Sequence, residues 1–516
     1  MKSPKAENFI NARDEKLLKQ ALNILPSDLR SVAETALSAA AEKRFFHWEL
    51  EFPEIFYGPR PGTTQAIERL EGAGFDAVIG NPPYDVLASE ELGYDVSDDL
   101  AFYETANVYE PAIRGARNLY KLFICRGSLL MGERGSFSFI VPMSLLGDDQ
   151  AAEVRSFLFK KTSLNIIEAF PQKDDPRNRV FPEAKLATTI FVTRAKPIKS
   201  NFTIFTHPGR LIERKLSSLC VGADEIIKFD PENFVIPSCS QRDWEIAMLI
   251  WGRKVQYMKN ITNLSEGEVH AYTHRDLIGP EISGPLILRG ANISLYTVRE
   301  ASQGEPLRLN VKRYLEGKAK NSRAYAHLQW RVGFQRSSPQ NNFRRLIAAR
   351  IEPGAFCFDT VKFIPQNASK IDLDLLIAFL NSEILDWYFR LGSTNSKVNE
   401  YQFDSLPIPT FSEERPSIAW EPLFEKGQWV ALLNLLCENC SEPGVMPATV
   451  AEALAEMSRR IQQIEAKRVL KSRSERSHLA PESQPIQDAI DSVLFRCYGL
   501  SGDDAEYIEQ RLEEML

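Results

Sequence analysis

The 516 residues hold 62 Lys and Arg against 69 Asp and Glu, a net charge of −7, which excludes a uniformly basic nucleic-acid binder and leaves room only for a local patch. The hydrophobic fraction of 44% and charged fraction of 25% are those of an ordinary globular chain with space for about three domains. No apolar run approaches the roughly 18 residues of a membrane-spanning helix, and Met1-Lys2-Ser3-Pro4 opens no signal peptide, so a cytoplasmic protein without membrane contact is expected. Seven scattered cysteines do not suggest a disulfide framework. Cys437-Glu438-Asn439-Cys440 is a lone CxxC, and His270 and His274 lack a Glu-x-x-His partner, so no metal site is expected.

Residues 12 to 45, rich in Ala, Leu, Glu and Lys at helical spacing, predict two helices. Gly58 and Gly62 flank Pro59-Arg60-Pro61 in a stiff turn, and Gly72 and Gly74 precede the apolar run Phe75-Asp76-Ala77-Val78-Ile79-Gly80. That run predicts a buried strand, and Asn81-Pro82-Pro83-Tyr84 stops it abruptly in a rigid loop. Loops at the carboxyl ends of strands carry the chemistry of α/β sheets.

The four residues suit one task. The exocyclic amine of adenine is a poor nucleophile because its lone pair is delocalised into the ring. Two acceptors aimed at its N–H bonds return electron density to nitrogen: the side-chain oxygen of Asn81 and the backbone carbonyl of Pro82, with Pro83 stiffening the loop. Tyr84 offers a flat face for a base flipped out of the duplex. The alternative is a tight turn in which Asn caps and the prolines merely end the strand.

With this tetrapeptide and the preceding Phe46-His47-Trp48-Glu49-Leu50-Glu51-Phe52-Pro53-Glu54, the chain resembles the DNA amino-methyltransferases that use S-adenosylmethionine, in particular type IIG restriction-modification and phage-defence adenine methylases. The tetrapeptide is also shared by protein glutamine methyltransferases. The resemblance implies an α/β fold: a partial Rossmann-like methyltransferase sheet, then an α+β target-recognition domain and a helical carboxyl-terminal tail. The expected divisions are 1–60 helical, 61–215 the second half of the catalytic domain, 216–415 target recognition and 416–516 tail.

In that family a Gly-rich loop after the first strand holds the methionine end of the cofactor, and none of the 80 residues before Asn81 reads as such a loop. The sheet is therefore expected to lack its first three strands and to leave the catalytic strand with an exposed apolar edge. A partner polypeptide or a longer native chain would supply the cofactor half. Alternatively, the amino-terminal helices would cover the edge of a chain that no longer methylates.

Downstream, residues 107 to 133 predict a helix, and strands are expected at Ser136–Met143, Asn165–Phe170 and Thr188–Thr193. Val180-Phe181-Pro182-Glu183-Ala184 matches the family position where an aromatic packs on the flipped adenine, making Phe181 a second base-holding residue; the alternative is a Phe that anchors its loop in the core.

From Leu288-Arg289-Gly290-Ala291-Asn292-Ile293 the chain resembles the start of a target-recognition half-domain. Between Arg289 and Arg350 there are thirteen Lys or Arg and three Glu, about +10, the footprint of a phosphate-binding face. Tyr296, Tyr314, Tyr325, Trp330 and Phe334 interleave with Arg331, Arg336, Arg344 and Arg345, while Gln335, Gln340 and Asn341 are placed to read base edges. The expected DNA contacts are Arg289, Arg331, Arg336, Arg344 and Arg345; a solvated basic face without ligand is the alternative.

Phe356–Pro365 predicts a strand bulged at one slip of its alternation, and Leu375–Leu391 a helix. With Phe403–Pro409 they resemble the end of the recognition domain in type IIG methylases and type I specificity subunits. Glu352, Asp359 and Lys362 lack the spacing of a nuclease triad. Residues 411 to 440 and 447 to 470 read as helical, Lys471 to Pro485 as charged and mobile, and the end as the helical tail of the same methylases.

The expected activity is adenine-N6 methylation of double-stranded DNA with S-adenosylmethionine, without metal or covalent intermediate. A non-catalytic recognition or adaptor subunit and a protein glutamine methyltransferase are the rivals.

Overall fold

The strand expected at Phe75–Gly80 forms over those residues, but none of its six side chains is fully buried, because it lies at the edge of its sheet rather than in the middle. The computed structural model of the chain describes residues 20, 22–59, 67–173, 175–195, 201–212, 218–300, 304–340, 342–393, 396–413, 415–416, 418–470 and 474–515. The contacts divide it into two units, residues 1–76 with 129–135 and residues 77–128 with 136–516. No helix among the described residues is long and apolar enough to cross a membrane.

In the smaller unit, the second of the two expected helices forms at Ser27–Lys43, and none of its residues is buried. The first falls largely outside the described residues. A short antiparallel pair, Tyr57–Pro59 with Ile67–Arg69, follows; Arg60, Pro61 and Gly62 of the predicted turn lie outside the described residues. Trp48, Phe52 and Phe56 set their rings edge-on to Phe75, at 5.6, 5.5 and 5.5 Å between centroids, so this aromatic-rich segment supports the start of the Phe75–Gly80 strand.

The larger unit is built on a six-stranded sheet: β1 (Phe75–Gly80), β2 (Met131–Pro142), β3 (Ser163–Phe170), β4 (Thr188–Arg194), β5 (Phe202–Thr206) and β6 (Ser218–Val221), in the order β1-β2-β4-β3-β5-β6. Strand β4 runs antiparallel to both β2 and β3, so β2 and β3 end on the same edge, where β4 begins. Helix α1 (Leu119–Leu130) lies close against the sheet because Gly127 has no side chain: a Cβ there would meet the Phe137 ring at 2.7 Å. Gly80 likewise admits Phe139, whose ring would stand 3.0 Å from a Cβ.

A second sheet carries β7 (Ser265–Glu266), β8 (Arg331–Gln335), β9 (Ala348–Ile351) and β10 (Val361–Pro365), in the order β7-β10-β8-β9. The predicted bulged strand at Phe356–Pro365 is two strands. Phe356–Cys357 pairs in parallel with Ile287–Leu288, the chain turns with Val361 N–H donating to the Phe358 carbonyl, and β10 then joins the other sheet. The slip in the alternation was that turn.

The helix expected at Leu375–Leu391 is also two, α2 (Leu373–Leu380) and α3 (Glu383–Leu391). At the break, the Asn381 amide donates to the Ala348 carbonyl at 3.0 Å and accepts from its N–H at 2.9 Å, and so pins β9. The tail is helical: Trp429–Asn439, Ala448–Lys467, Gln484–Cys497 and Gly502–Glu514. Of the segment expected to be mobile, 471–473 lies outside the described residues and Ser474–Ser477 forms a 3-10 turn, with Arg476 donating to the Ala291 carbonyl.

Candidate active site

The loop after β1 is held from two sides. Leu119 N–H donates to the Asp85 carbonyl and Leu87 N–H to the Arg117 carbonyl, both at 2.9 Å, fastening Asp85–Leu87 to the entrance of α1. The Tyr84 hydroxyl lies 2.9 Å from Asn81 Oδ1 and 3.1 Å from the Ile140 carbonyl of β2, and its one proton serves either acceptor. Burial pushes the Tyr84 phenol up to about 12, so it remains a neutral donor across the physiological range.

Asn81 is exposed and its amide oxygen has two lone pairs, so one stays open to a ligand while Tyr84 engages the other. Pro82 is buried and fixes the turn, and Pro83 is exposed.

Phe181 lies in the loop between β3 and β4, on the edge where β2 also ends. The topology therefore brings it to Tyr84 from about a hundred residues away: the two rings stand 6.3 Å apart at 66°. Asn81, Tyr84 and Phe181 form one constellation at the end of the sheet, with a hydrogen-bond acceptor beside two aromatic walls. On α1, Lys121 is buried, its Nζ donates to the Arg114 and Gln150 carbonyls at 2.8 and 3.1 Å, and burial brings its pKa down to about 8, so it ties the flanking loops to the helix. A single lysine in an apolar helix carries no sequence signal of that contact.

A cofactor cradle needs glycines that face a ligand. Of the glycines described before the catalytic strand, Gly58 faces the Leu70 side chain, Gly72 the Glu133 side chain and Gly74 the Gly132 backbone, at 2.8, 2.5 and 2.4 Å from an added Cβ. All three serve the approach of chain to chain. None of these three glycines therefore offers open backbone to the methionine end of S-adenosylmethionine. Nor is any group of three or more His, Cys, Asp or Glu among them arranged to hold a metal ion.

The predicted DNA contacts require correction. Arg331 is fully buried and its guanidinium meets Glu268 at 2.5 Å, with Glu268 buried as completely. Arg345 is buried beneath Phe389, its guanidinium carbon 5.3 Å from the ring centroid, and Arg344 pairs with Glu383 at 2.9 Å. These three tie the second sheet and α3 to their surroundings and are withdrawn as phosphate contacts.

Arg336 is half-buried, donating to the Asp359 carbonyl with Glu266 at 3.7 Å; Arg289 donates to the Gly304 and Glu305 carbonyls. The interleaved aromatics Tyr296, Tyr314 and Phe334 are core residues, and Trp330 lies under Arg350. Gln335 and Gln340 donate to the Ile293 and Ser393 carbonyls rather than standing free, and Asn341 lies outside the described residues.

Residues 5–175 match the family model described as Eco57I restriction-modification methylase. Over 106 residues the chain is 31% identical to the type II methyltransferase M.TthHB8I of Thermus thermophilus, covering 19% of this chain and 24% of that protein. Over 367 residues it is 22% identical to a Methanocaldococcus jannaschii protein named as a type II restriction enzyme and methyltransferase, RM.MjaORFECS2P, covering 67% of this chain and 26% of that one. The chain thus spans about a quarter of the length of these curated relatives. Among solved structures, the type IIL restriction-modification enzyme MmeI aligns with a TM-score of 0.51 at 12% identity, over 85% of this chain and 57% of that one, a likeness of fold. Residues 5–175 are thus similar to restriction-modification methylases, and the mixed α/β architecture of the chain is like that of MmeI.

Proposed function

We propose that this chain is the base-binding and target-recognition part of a site-specific DNA adenine-N6 methyltransferase of a restriction-modification or phage-defence system. The observation that carries the reading is the meeting of Asn81, Tyr84 and Phe181 at the end of the sheet.

Adenine flipped from the duplex packs against the Tyr84 ring beside Phe181, where stacking replaces what it loses on leaving the helix. Asn81 Oδ1 and the Pro82 carbonyl accept the two amine hydrogens, which draws the nitrogen lone pair out of the ring. Tyr84, donating to Asn81, fixes the direction in which that amide points. The methyl donor in this reading is S-adenosylmethionine. Gly58, Gly72 and Gly74, each filled by neighbouring chain, offer it no cradle.

The cradle comes from outside them, and β1 is where it joins. Among the described strands β1 has β2 as its one neighbour, and Ile79 on it is 84% exposed. An apolar edge with unpaired backbone groups is a template for another strand. The partner is a polypeptide segment carrying the cofactor half of the sheet.

A non-catalytic adaptor is the second reading, favoured by the same filled glycines. Transfer of labelled methyl from S-adenosylmethionine to duplex DNA, by this chain together with the polypeptide encoded immediately upstream, separates the two. Label at adenine N6 that disappears in Asn81→Ala supports methylation, and no transfer by the assembly supports the adaptor.

A further inference from the structure

Of the thirteen cations between Arg289 and Arg350, eleven fall into two populations, Arg289 and the buried Arg345 standing apart. Arg299, Arg331, Arg336, Arg344 and Arg350 each face a carboxylate, from Glu465, Glu268, Glu266, Glu383 and Asp374 in turn, at 2.9, 2.5, 3.7, 2.9 and 2.8 Å. Arg308, Lys312, Arg313, Lys318, Lys320 and Arg323 have no carboxylate within ion-pairing distance among the described residues, and all but the half-buried Lys318 are exposed. Six cations against the single Glu316 within sixteen positions, in a chain of net charge −7, concentrate a positive field that draws an anion.

We propose that this segment, with the adjoining loop 270–275, is the face that holds the phosphate backbone of duplex DNA. The inference rests on the reading of the chain as a DNA-acting methylase and replaces the buried arginines as its phosphate contacts.

The face is rigidly built. The short helix Val311–Leu315 is capped by Asn310, whose Oδ1 accepts from Arg313 N–H, and it sits on a core of Val269, Leu309, Tyr314 and Phe356. The Tyr314 hydroxyl donates to the Glu268 carbonyl at 2.7 Å, and Arg308–Leu309 pairs with Ile278–Gly279.

Tyr314 also gathers the loop and the cations. Lys318 Nζ stands 3.4 Å from its ring centroid and the His274 ring 5.1 Å from it. The His274 imidazole is held below its ordinary value by burial and then by Lys318, His270 and Arg323, so the positive field reaches the loop. On that loop Arg275 is exposed without an ion pair among the described residues, and Tyr272 is 91% exposed. A bare aromatic beside unpaired cations suits contact with a sugar or an unstacked base edge while the cations take phosphates.

The test is anisotropy of a labelled duplex titrated with the full chain from about 50 to about 200 mM salt, where affinity falls with a slope set by the phosphates neutralised. The Lys312→Ser, Arg313→Ser, Lys320→Ser, Arg323→Ser variant should lose about three to four units of that slope and about 100-fold or more in affinity. Tyr272→Ala should weaken binding about tenfold with the slope unchanged. All five side chains are exposed, so melting temperatures stay as in the native chain. Arg460→Ser with Lys467→Ser, exposed cations of the tail, should leave the slope intact.

A native slope in the quadruple variant, while the unaltered chain binds duplex, overturns the proposed face and leaves the methylase reading standing. No duplex binding by the unaltered chain overturns both. Displacement of duplex by polyglutamate at equal charge concentration overturns the assignment to nucleic acid.

Discussion

At the residue scale the account turns on an amide whose direction is fixed by a neighbouring phenol. Tyr84→Phe keeps the stacking face and removes the proton that engages Asn81, so base binding should persist while the methylation rate falls about tenfold, read as kcat against KM. Asn81→Ala removes the acceptor itself and should cost about 100-fold or more in rate with little change in duplex affinity. A rate within twofold of native in Asn81→Ala would remove that residue from the chemistry. Phe181→Ala should weaken the hold on the flipped base by about 1–3 kcal/mol, measured with a duplex carrying a fluorescent adenine analogue. The contact of Tyr84 with Asn81 was legible because the two lie three residues apart across a Pro-Pro turn. Arg331 was not, because its partner Glu268 lies 63 residues earlier and no local pattern says which cation finds a buried carboxylate.

At the element scale, two buried cations set where the structure is most sensitive. Removing one partner of the Arg331–Glu268 pair strands a charge in the core: Arg331→Met or Glu268→Gln should each cost about 3–5 kcal/mol in urea unfolding, and the double variant less than their sum. If Arg331→Met changed duplex affinity and left stability alone, the withdrawal of Arg331 from the DNA contacts would be wrong.

Lys121 gives a dependence on pH. The unfolded chain keeps this proton to its ordinary value of 10.5, whereas the folded chain releases it from about 8. Between those values unfolding takes up a proton, so stability rises with pH. Lys121→Met should therefore fall further behind the native chain as pH goes from about 8 to about 10, and a constant difference would refute the assignment.

Four of the six strands of the larger sheet were legible because alternation or a β-branched run marks them, whereas Phe202–Thr206 and Ser218–Val221 were not read. The turn at Phe358–Val361 and the break at Asn381–Ser382 were not, because each is set by what it packs against, the Asn381 amide on Ala348 being the clearer case.

At the scale of the whole molecule, the proposed reading makes the exposed edge strand and the Asn81 loop half of a catalytic domain. The +10 charge of Arg289–Arg350 was legible as a count but not as a surface, since burial sorts its cations. If β1 receives a strand from the cofactor half, Ile79→Lys should leave the chain's own melting temperature unchanged and weaken its assembly with that half about tenfold or more, by sedimentation.

The most direct test of the central claim is calorimetric titration with S-adenosylmethionine, first of this chain and then of the chain with the polypeptide encoded immediately upstream. The account predicts no heat of binding for the chain alone and stoichiometric binding for the assembly. Binding by the chain alone, or by neither, would contradict it.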